Sequence, residues 1–234
     1  MIVTGTSAGI GKALARAFVS GGANVVLASR NVEALNSLAN ELGQKQTLVV
    51  PTDVTQRDQI EVLVDRTVDQ FGRLDVLVNN AGVGLYSSVA DLDPDDFQRL
   101  FQVNLMGPLL GMQAAIRTMR KTGGGTIVNI SSGTSRIVVP FLGGAYPALK
   151  RALEILSDYA RAQLSGEGIK VLVVLPYITA TKFAENVLGS RGTTTPNFDA
   201  SHRNLPAPHT AEFVAEKVLE GLRNDATEIS LGPA

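Results

Sequence analysis

The stretch TGTSAGIG, residues 4–11, connects a short apolar run to a segment, IGKALARAF, with helical spacing of its apolar residues. Its glycines, Gly5, Gly9 and Gly11, suit a tight turn whose backbone approaches a pyrophosphate, with the helix N-terminus offering N–H groups to the anion. The spacing is G-x-x-x-G-x-G, and a plain loop is the alternative. A P-loop is excluded because Ala13 follows Gly11-Lys12, where that motif needs Ser or Thr.

Short β-rich runs alternate with helix-length segments along the whole chain. Several runs, such as VVLA and VLVVL, are continuously apolar, as in parallel strands that are covered on both faces. The alternation predicts an α/β fold: a doubly wound, parallel, seven-stranded Rossmann-type sheet in one three-layer αβα domain over residues 1–234. Asp93-Pro94 predicts a helix start. The predicted strands are 2–4, 24–28, 47–51, 74–78, 126–130, 170–175 and 228–231.

Composition narrows the class of function. The net charge is −1 and the pI is about 6.1, which gives no electrostatic case for binding nucleic acid or an anionic membrane. The absence of cysteine excludes disulfides, thiolate nucleophiles and thiolate metal sites, and we expect no metal. We find no apolar run of membrane-spanning length and no signal-peptide pattern at the start, so we expect a cytoplasmic protein without membrane contact.

Residues 182–209 interrupt the strand–helix alternation. The segment is irregular and rich in Gly, Thr, Pro and Asn, and it follows a predicted strand end, where ligand sites of α/β proteins lie. A loop of this length inside a compact domain is usually functional or mobile. We therefore expect an insertion that covers the substrate.

The end of the second predicted strand bears on the choice of cofactor. Dinucleotide-binding folds usually place an acidic residue about 20 residues after the glycine turn, where it binds the adenosine ribose. Here Ser29 stands in its place and Arg30 follows, so a 2′-phosphate would meet a hydroxyl and a cation. This favours NADP over NAD, the alternative being a solvent-facing arginine.

Five motifs in order resemble the short-chain dehydrogenase/reductase family over nearly the whole chain. They are the glycine turn TGTSAGIG, NNAG at 79–82, Asn104 in FQVNLMGPL, IVNISS followed by YPALK at 146–150, and PYITAT at 176–181. The resemblance implies a Rossmann-type fold and NADP(H) as cofactor, with NAD(H) as the alternative. The implied cofactor-binding residues are Gly5, Ser7, Ala8, Gly9, Ile10, Gly11, Ser29, Arg30, Asp53, Val54, Asn80, Ala81, Gly82, Tyr146, Lys150, Thr179 and Thr181.

The resemblance also implies a catalytic set of Asn104, Ser132, Tyr146 and Lys150. In the family the tyrosine is the general acid/base, the lysine binds the nicotinamide ribose, the serine holds the substrate oxygen, and the asparagine carries a water-linked proton path. The chemistry agrees, because a nearby ammonium lowers the pKa of a phenol and residues at i and i+4 share a helix face. The alternatives are an ordinary helix-start tyrosine and a solvated lysine.

Several positions depart from the family pattern. Ser132 precedes Tyr146 by fourteen positions, one more than is usual, so the extra residue falls within FLGGA or else Ser131 or Ser135 supplies the hydroxyl. Tyr177 replaces a glycine and would narrow the substrate pocket or touch the nicotinamide. Ala8 occupies a place where many NADP users carry a basic residue, which weakens the NADP prediction.

These features predict an oxidoreductase that interconverts a small ketone or aldehyde and an alcohol. We expect substrate contacts from Tyr86, Ile137, Tyr177 and the insertion, whose excess of basic residues hints at an anionic substrate. The alternative is a cofactor-binding sensor or scaffold without turnover. The resemblance further implies a homodimer or homotetramer that forms through the helices around 109–119 and 146–164.

Overall fold

A computed structural model describes residues 1–139, 143–181, 183, 187–189 and 207–232. Its centre is a parallel seven-stranded sheet with the order β3-β2-β1-β4-β6-β7-β9. The strands are β1 Ile2–Thr4, β2 Val25–Ser29, β3 Thr47–Pro51, β4 Val76–Asn79, β6 Gly125–Ile130, β7 Ile169–Leu175 and β9 Glu228–Ser230. The structure confirms the fold class and places all seven predicted strands, with ends that differ from the prediction by at most two residues.

Helices cover both faces of this sheet. They are α1 Gly9–Ser20, α2 Val32–Leu42, α3 Arg57–Phe71, α4 Pro94–Phe101, α5 Gly107–Thr122, α6 Ala145–Gln163 and α7 Ala211–Arg223. One buried cluster joins α3, α5 and α6 to the sheet, and a second joins α1, α2 and α7 to its other face. No helix in the described part of the chain is long and apolar enough to cross a membrane.

The strand order reverses between β1 and β4. Successive connections run outward to β2 and β3 on one side of β1, and then to β4, β6 and β7 on the other. In open parallel sheets, ligands bind at the carboxyl ends of the strands beside such a reversal. The loops that follow β1 and β4 therefore frame the expected site.

The structure corrects one prediction about the segment 182–209. Val187–Leu188 forms a short strand, β8, which pairs in parallel with β5, Gly84–Leu85. Apolar side chains pack closely against this pair: a Cβ on Gly84 would lie 3.3 Å from the Phe183 ring and 3.4 Å from Val187. Residues 182, 184–186 and 190–206 of the predicted insertion lie outside the described residues.

Between α4 and α5 the chain makes a π-helical turn, Gln102–Met106, that contains Asn104. The predicted start of α4 is confirmed, since the Asp93 carboxylate accepts a hydrogen bond from the Asp95 N–H at 2.7 Å. Sequence periodicity does not distinguish one π turn from an α-helix, because both present the same apolar residues to the core. The π turn is thus a structural finding.

Candidate active site

The glycine turn between β1 and α1 is held by close backbone contacts. Gly5 and Gly9 adopt φ angles of +71° and +54°, in the left-handed region that favours glycine. A Cβ on Gly11 would lie 2.3 Å from the carbonyl oxygen of Gly5, so a larger residue forces the turn apart. Backbone conformation or close packing therefore explains why each of these three positions carries glycine.

The N-terminus of α1 is left available for an anion. Ala8 occupies the cap position, its side chain makes no capping hydrogen bond, and the described first turn carries no acidic residue. The N–H groups at the start of a helix have no intrahelical partner and carry a partial positive charge. Together with the glycines, this arrangement fits the pyrophosphate of a dinucleotide.

Thr4 ties the glycine turn to the loop after β4. Its hydroxyl donates to the Val78 carbonyl at 3.1 Å and accepts from the N–H groups of Asn80 and Ala81, each at 3.0 Å. The Asn80 side chain donates to the Thr4 carbonyl at 2.8 Å and lies near that of Gly5 at 3.4 Å. Within this chain Asn80 therefore positions the turn.

The ends of β2 and β3 lie beside the same turn. The Gly5 N–H donates to the Ala28 carbonyl at 2.7 Å, and the Thr52 N–H donates to the Ser29 carbonyl at 3.0 Å. Ser29 and the exposed Arg30 are thereby placed next to the glycines, with Asp53 one residue beyond Thr52.

Asp53 is partly occupied by its own turn. One carboxylate oxygen accepts from the N–H of Thr55 at 3.0 Å and from its hydroxyl at 2.8 Å. The next residue, Val54, packs on α5, where a Cβ on Gly107 would lie 3.0 Å from it. The loop after β3 is therefore fixed by its own hydrogen bonds and by α5.

The segment after β7 closes on the glycine turn. A Cβ on Gly9 would lie 3.2 Å from the Thr181 side chain, so Thr181 sits directly over the start of α1. Thr179 lies in a parallel bridge with His209, which anchors this segment to the chain before α7. The cofactor residues predicted on these two loops are thus neighbours.

Tyr146 and Lys150 share one face of α6. The Lys150 ammonium lies 5.7 Å from the centre of the Tyr146 ring and donates to the Ile130 carbonyl at 2.8 Å. A Cβ on Gly82 would lie 3.8 Å from the same ammonium and 2.8 Å from the Asn104 side-chain oxygen. The loop after β4, the π turn and the start of α6 therefore meet at one place.

The Asn104 side chain holds the loop after β4 in position. Its oxygen accepts from the Val83 N–H at 3.3 Å, and its amide donates to the Val83 carbonyl at 3.0 Å and to the Leu100 carbonyl at 3.2 Å. Asn104 is fully buried. These contacts connect the π turn directly to the loop that bears Gly82.

Burial shifts the pKa values of both groups on α6. It raises the pKa of the Tyr146 phenol well above its usual range, an interaction with Ser132 lowers it, and Tyr86 raises it further. Burial also lowers the pKa of Lys150 to about 8, which the Glu154 carboxylate opposes. At neutral pH, below this value, Lys150 is mostly protonated, so an ammonium lies beside the Tyr146 phenol.

The three candidate serines have different partners. Of the three, the Ser132 hydroxyl interacts with the Tyr146 phenol and lowers its pKa. The same hydroxyl lies 2.9 Å from the Thr134 hydroxyl. The hydroxyls of Ser131 and Ser135 are both bonded to Glu154. The geometry therefore favours Ser132 as the hydroxyl that faces the phenol.

Gly143, within the stretch FLGGA, lies against the loop after β5. Gly143 has a φ angle of +72°, and a Cβ on it would lie 2.1 Å from the Ser87 carbonyl oxygen. Residues 140–142, which complete the expected site of the insertion, lie outside the described residues.

A sequence profile described as short chain dehydrogenase matches residues 1–191. The chain belongs to the short-chain dehydrogenase family. A Staphylococcus aureus protein described as an uncharacterized oxidoreductase is 37% identical over 180 residues, which cover 77% of this chain and 78% of the relative. The match identifies the chain as an oxidoreductase of an NAD(P)-binding family.

Solved structures of the same family superpose on nearly the whole chain. A short-chain dehydrogenase from Streptomyces avermitilis has a TM-score of 0.84 and 30% identity, covering 99% of this chain and 86% of that one. An alcohol dehydrogenase from Thermococcus sibiricus, complexed with 5-hydroxy-NADP, has a TM-score of 0.83 and 26% identity, covering 99% and 94%.

The three predicted substrate residues lie in different surroundings. Tyr86 is half-buried and close enough to Tyr146 to raise the pKa of that phenol, whereas the Ile137 side chain is exposed. The Tyr177 ring lies between two glycines, since a Cβ on Gly133 or on Gly232 would be 3.1 Å from it. Tyr177 thus packs towards the C-terminal end of the described chain.

Sequence reasoning missed two residues of this dehydrogenase site. They are Thr4 and Phe183, and the Phe183 ring centre lies 5.6 Å from that of Tyr146. No sequence pattern indicated a role for either side chain. The position of Thr4 at the end of the first strand is the one clue available. No group of three or more potential metal ligands occurs among the described residues.

Proposed function

We propose that the protein interconverts a small ketone or aldehyde and the corresponding alcohol with NADP(H), and that Tyr146 is the general acid/base. The observation that carries this proposal is the position of the Tyr146 phenol, next to Ser132 and Lys150 and at the strand ends that bear the glycine turn. A phenol so placed can move a proton while the adjacent ammonium stabilises its anion.

A nicotinamide cofactor held by the glycine turn would supply or accept the hydride. In the direction of reduction, the Ser132 hydroxyl holds the substrate oxygen and Tyr146 donates the proton from Oη. Lys150 then stabilises the resulting phenolate and binds the nicotinamide ribose. Asn104, whose side-chain oxygen lies close to Gly82, supports the water-linked path that returns the proton.

The preference for NADP(H) rests on Ser29 and Arg30 beside the glycine turn. A relative with 26% identity was solved with 5-hydroxy-NADP, which supports a 2′-phosphate in this fold. We expect Arg30→Ala to weaken NADPH binding by roughly 10- to 100-fold and NADH binding much less, because only the phosphate loses a charged partner.

Fluorescence titration of the two cofactors measures this difference. Arg57→Ala is the matched control, since Arg57 is on α3 and bonds to Gln113 on α5. Equal losses of NADPH and NADH affinity in Arg30→Ala would refute the role in phosphate binding.

The proposed substrate is defined by its chemical class. Contacts from Tyr86, Ile137 and Tyr177 would favour a small carbonyl compound with an apolar body. The anionic substrate suggested by the basic residues of the segment 182–209 depends mostly on side chains outside the described residues. We also propose a single cytoplasmic domain that assembles as a homodimer or homotetramer.

The rival function is a cofactor-binding sensor or scaffold without turnover. Such a protein needs the glycine turn but not the Ser132–Tyr146–Lys150 arrangement, and the presence of both favours an enzyme. NADPH oxidation against a panel of ketones and aldehydes separates the two. We expect turnover on at least one carbonyl, whereas tight NADPH binding with no turnover on any of them would favour the sensor.

A further inference from the structure

A buried carboxylate lies directly behind the proposed catalytic residues. Glu154 is on α6, four residues after Lys150 and eight after Tyr146, so the three share one helix face. Only 2% of its side chain is exposed. A buried carboxylate is stable only when other groups donate hydrogen bonds to it or carry the opposite charge. Serine hydroxyls and arginine side chains do so here.

Glu154 binds the two serines that flank Ser132. The Ser131 hydroxyl donates to its Oε1 at 2.6 Å, and the Ser135 hydroxyl contacts the same oxygen. Ser135 Oγ also lies 2.6 Å from the carbonyl oxygen of Ser132. One carboxylate oxygen therefore fixes both ends of the turn that presents the Ser132 hydroxyl to Tyr146.

The other oxygen of Glu154 is held by two arginines. Arg136 Nε lies 3.1 Å from Oε2 and Arg151 Nη1 lies 2.7 Å from it. Arg136 also binds Glu228 on β9. Burial alone would raise the pKa of Glu154, but the hydrogen bonds from the serines and arginines hold it below its usual range.

We infer that Glu154 is a positioning residue: it holds the turn around Ser132 against Tyr146 and supports the charge on Lys150. The inference rests on the proposed function of those residues. Its charge raises the pKa of Lys150 against the effect of burial. Among the described residues, the charged or titratable groups in contact with this cluster include Arg136, Arg151, Glu228, Tyr146 and Tyr86.

The test compares Glu154→Gln with Glu154→Asp. We expect Glu154→Gln to lower kcat by roughly 10- to 100-fold, because Ser132 is displaced, with NADPH affinity unchanged. Loss of the negative charge lowers the pKa of Lys150 further, so the fall of reductase activity at high pH should begin at a lower pH. Glu154→Asp keeps the charge and should restore the pH profile, although its shorter side chain still lowers kcat.

Glu220→Gln is the matched control. Glu220 is an exposed glutamate on α7 that pairs with Lys217 three residues earlier, and it should leave kcat and the pH profile unchanged. Thermal midpoints of all variants report folding. Should Glu154→Gln not fold, Ser135→Ala provides a second variant, expected to lower kcat without moving the pH profile.

The outcomes separate this inference from the proposed function. Wild-type kcat and pH profile in Glu154→Gln would overturn the inference, as would a loss of kcat in Glu154→Asp with the same displaced pH profile as Glu154→Gln. Wild-type kcat in Ser135→Ala would contradict the claim that the contact between Ser135 and Glu154 holds the turn around Ser132. Tyr146→Phe, measured alongside, tests the proposed function: an inactive Tyr146→Phe with an unaffected Glu154→Gln removes only the inference.

Discussion

A methyl group on Gly11 would lie 2.3 Å from the carbonyl oxygen of Gly5 and 2.5 Å from the side chain of Asn80. We therefore expect Gly11→Ala to abolish detectable cofactor binding and to lower the free energy of unfolding by about 1–3 kcal/mol, because the turn must open. Cofactor titration and urea unfolding measure the two effects.

Gly21→Ala is the control at the other end of α1. A Cβ there would meet its nearest described neighbours at an ordinary 3.4 Å. Cofactor affinity should be unchanged in this variant. Normal cofactor binding by Gly11→Ala would contradict the close packing of the turn.

At the residue scale, the functional side chains that belong to a sequence motif could be predicted. Those brought to the site only by the folding of the chain could not. The glycine turn, Tyr146 and Lys150 were identifiable from spacing. Glu154 was not, because a glutamate on a helix with arginines nearby usually faces solvent. Its burial becomes visible only when the turn after β6 packs onto α6.

At the scale of elements, α6 links the proposed chemistry to pH. Below a pH of about 8 Lys150 keeps its proton and can stabilise the phenolate that Tyr146 leaves after donating its own. Above it this charge is lost. We therefore expect kcat/KM for reduction to fall as the pH rises through about 8, with the apparent pKa belonging to the coupled pair.

A pH series of initial rates, at fixed ionic strength, measures this fall. The stability of the protein should be followed over the same range as a control. Reductase activity that stays constant well above this pH would contradict the role given to Lys150.

A buried chain of hydrogen bonds holds α6 to the sheet. The Asn79 amide donates to the Asn129 oxygen at 2.8 Å, and the Asn129 amide donates to the Ser157 hydroxyl at 2.8 Å. Asn129→Ala removes both bonds and should lower the free energy of unfolding by about 2–3 kcal/mol. Ser157→Ala removes the bond to Asn129 and the bond that its hydroxyl donates to the Leu153 carbonyl within α6, and it should cost about 1–2 kcal/mol.

Urea unfolding of both variants measures the two losses. A smaller loss in Asn129→Ala than in Ser157→Ala would contradict the central position of Asn129 in this chain of hydrogen bonds.

The predicted elements agree with the structure where a segment has one repeating pattern. All seven strands of the main sheet were predicted because parallel buried strands are continuously apolar. The π turn at Asn104 and the strand Val187–Leu188 were not, because five and two residues are too few for a repeating pattern to become visible in the sequence. Both depend on contacts with residues distant in the sequence.

At the scale of the whole molecule, the proposed assembly can be tested at the apolar side chains that α6 exposes. Ile155 and Tyr159 on this helix are 46% and 66% exposed. If copies of the chain pair through α6, Tyr159→Glu should yield monomers, because a charge would be buried in the interface. Val89→Glu is the control, at a residue that is 80% exposed in the loop after β5.

Light scattering of the three proteins measures their masses. A wild-type protein that is a monomer at all concentrations would remove the proposed assembly, and an oligomer in Tyr159→Glu would place the interface elsewhere.

The central claim is that the Tyr146 phenol transfers the proton during NADP(H)-dependent reduction. Tyr146→Phe removes one oxygen atom and keeps the ring that packs against Phe183. The most direct measurement is the steady-state kcat of Tyr146→Phe on a carbonyl that the wild type reduces, together with NADPH affinity. We predict a fall in kcat of roughly 10²–10⁴-fold with NADPH affinity unchanged. Turnover equal to that of the wild type would contradict the claim.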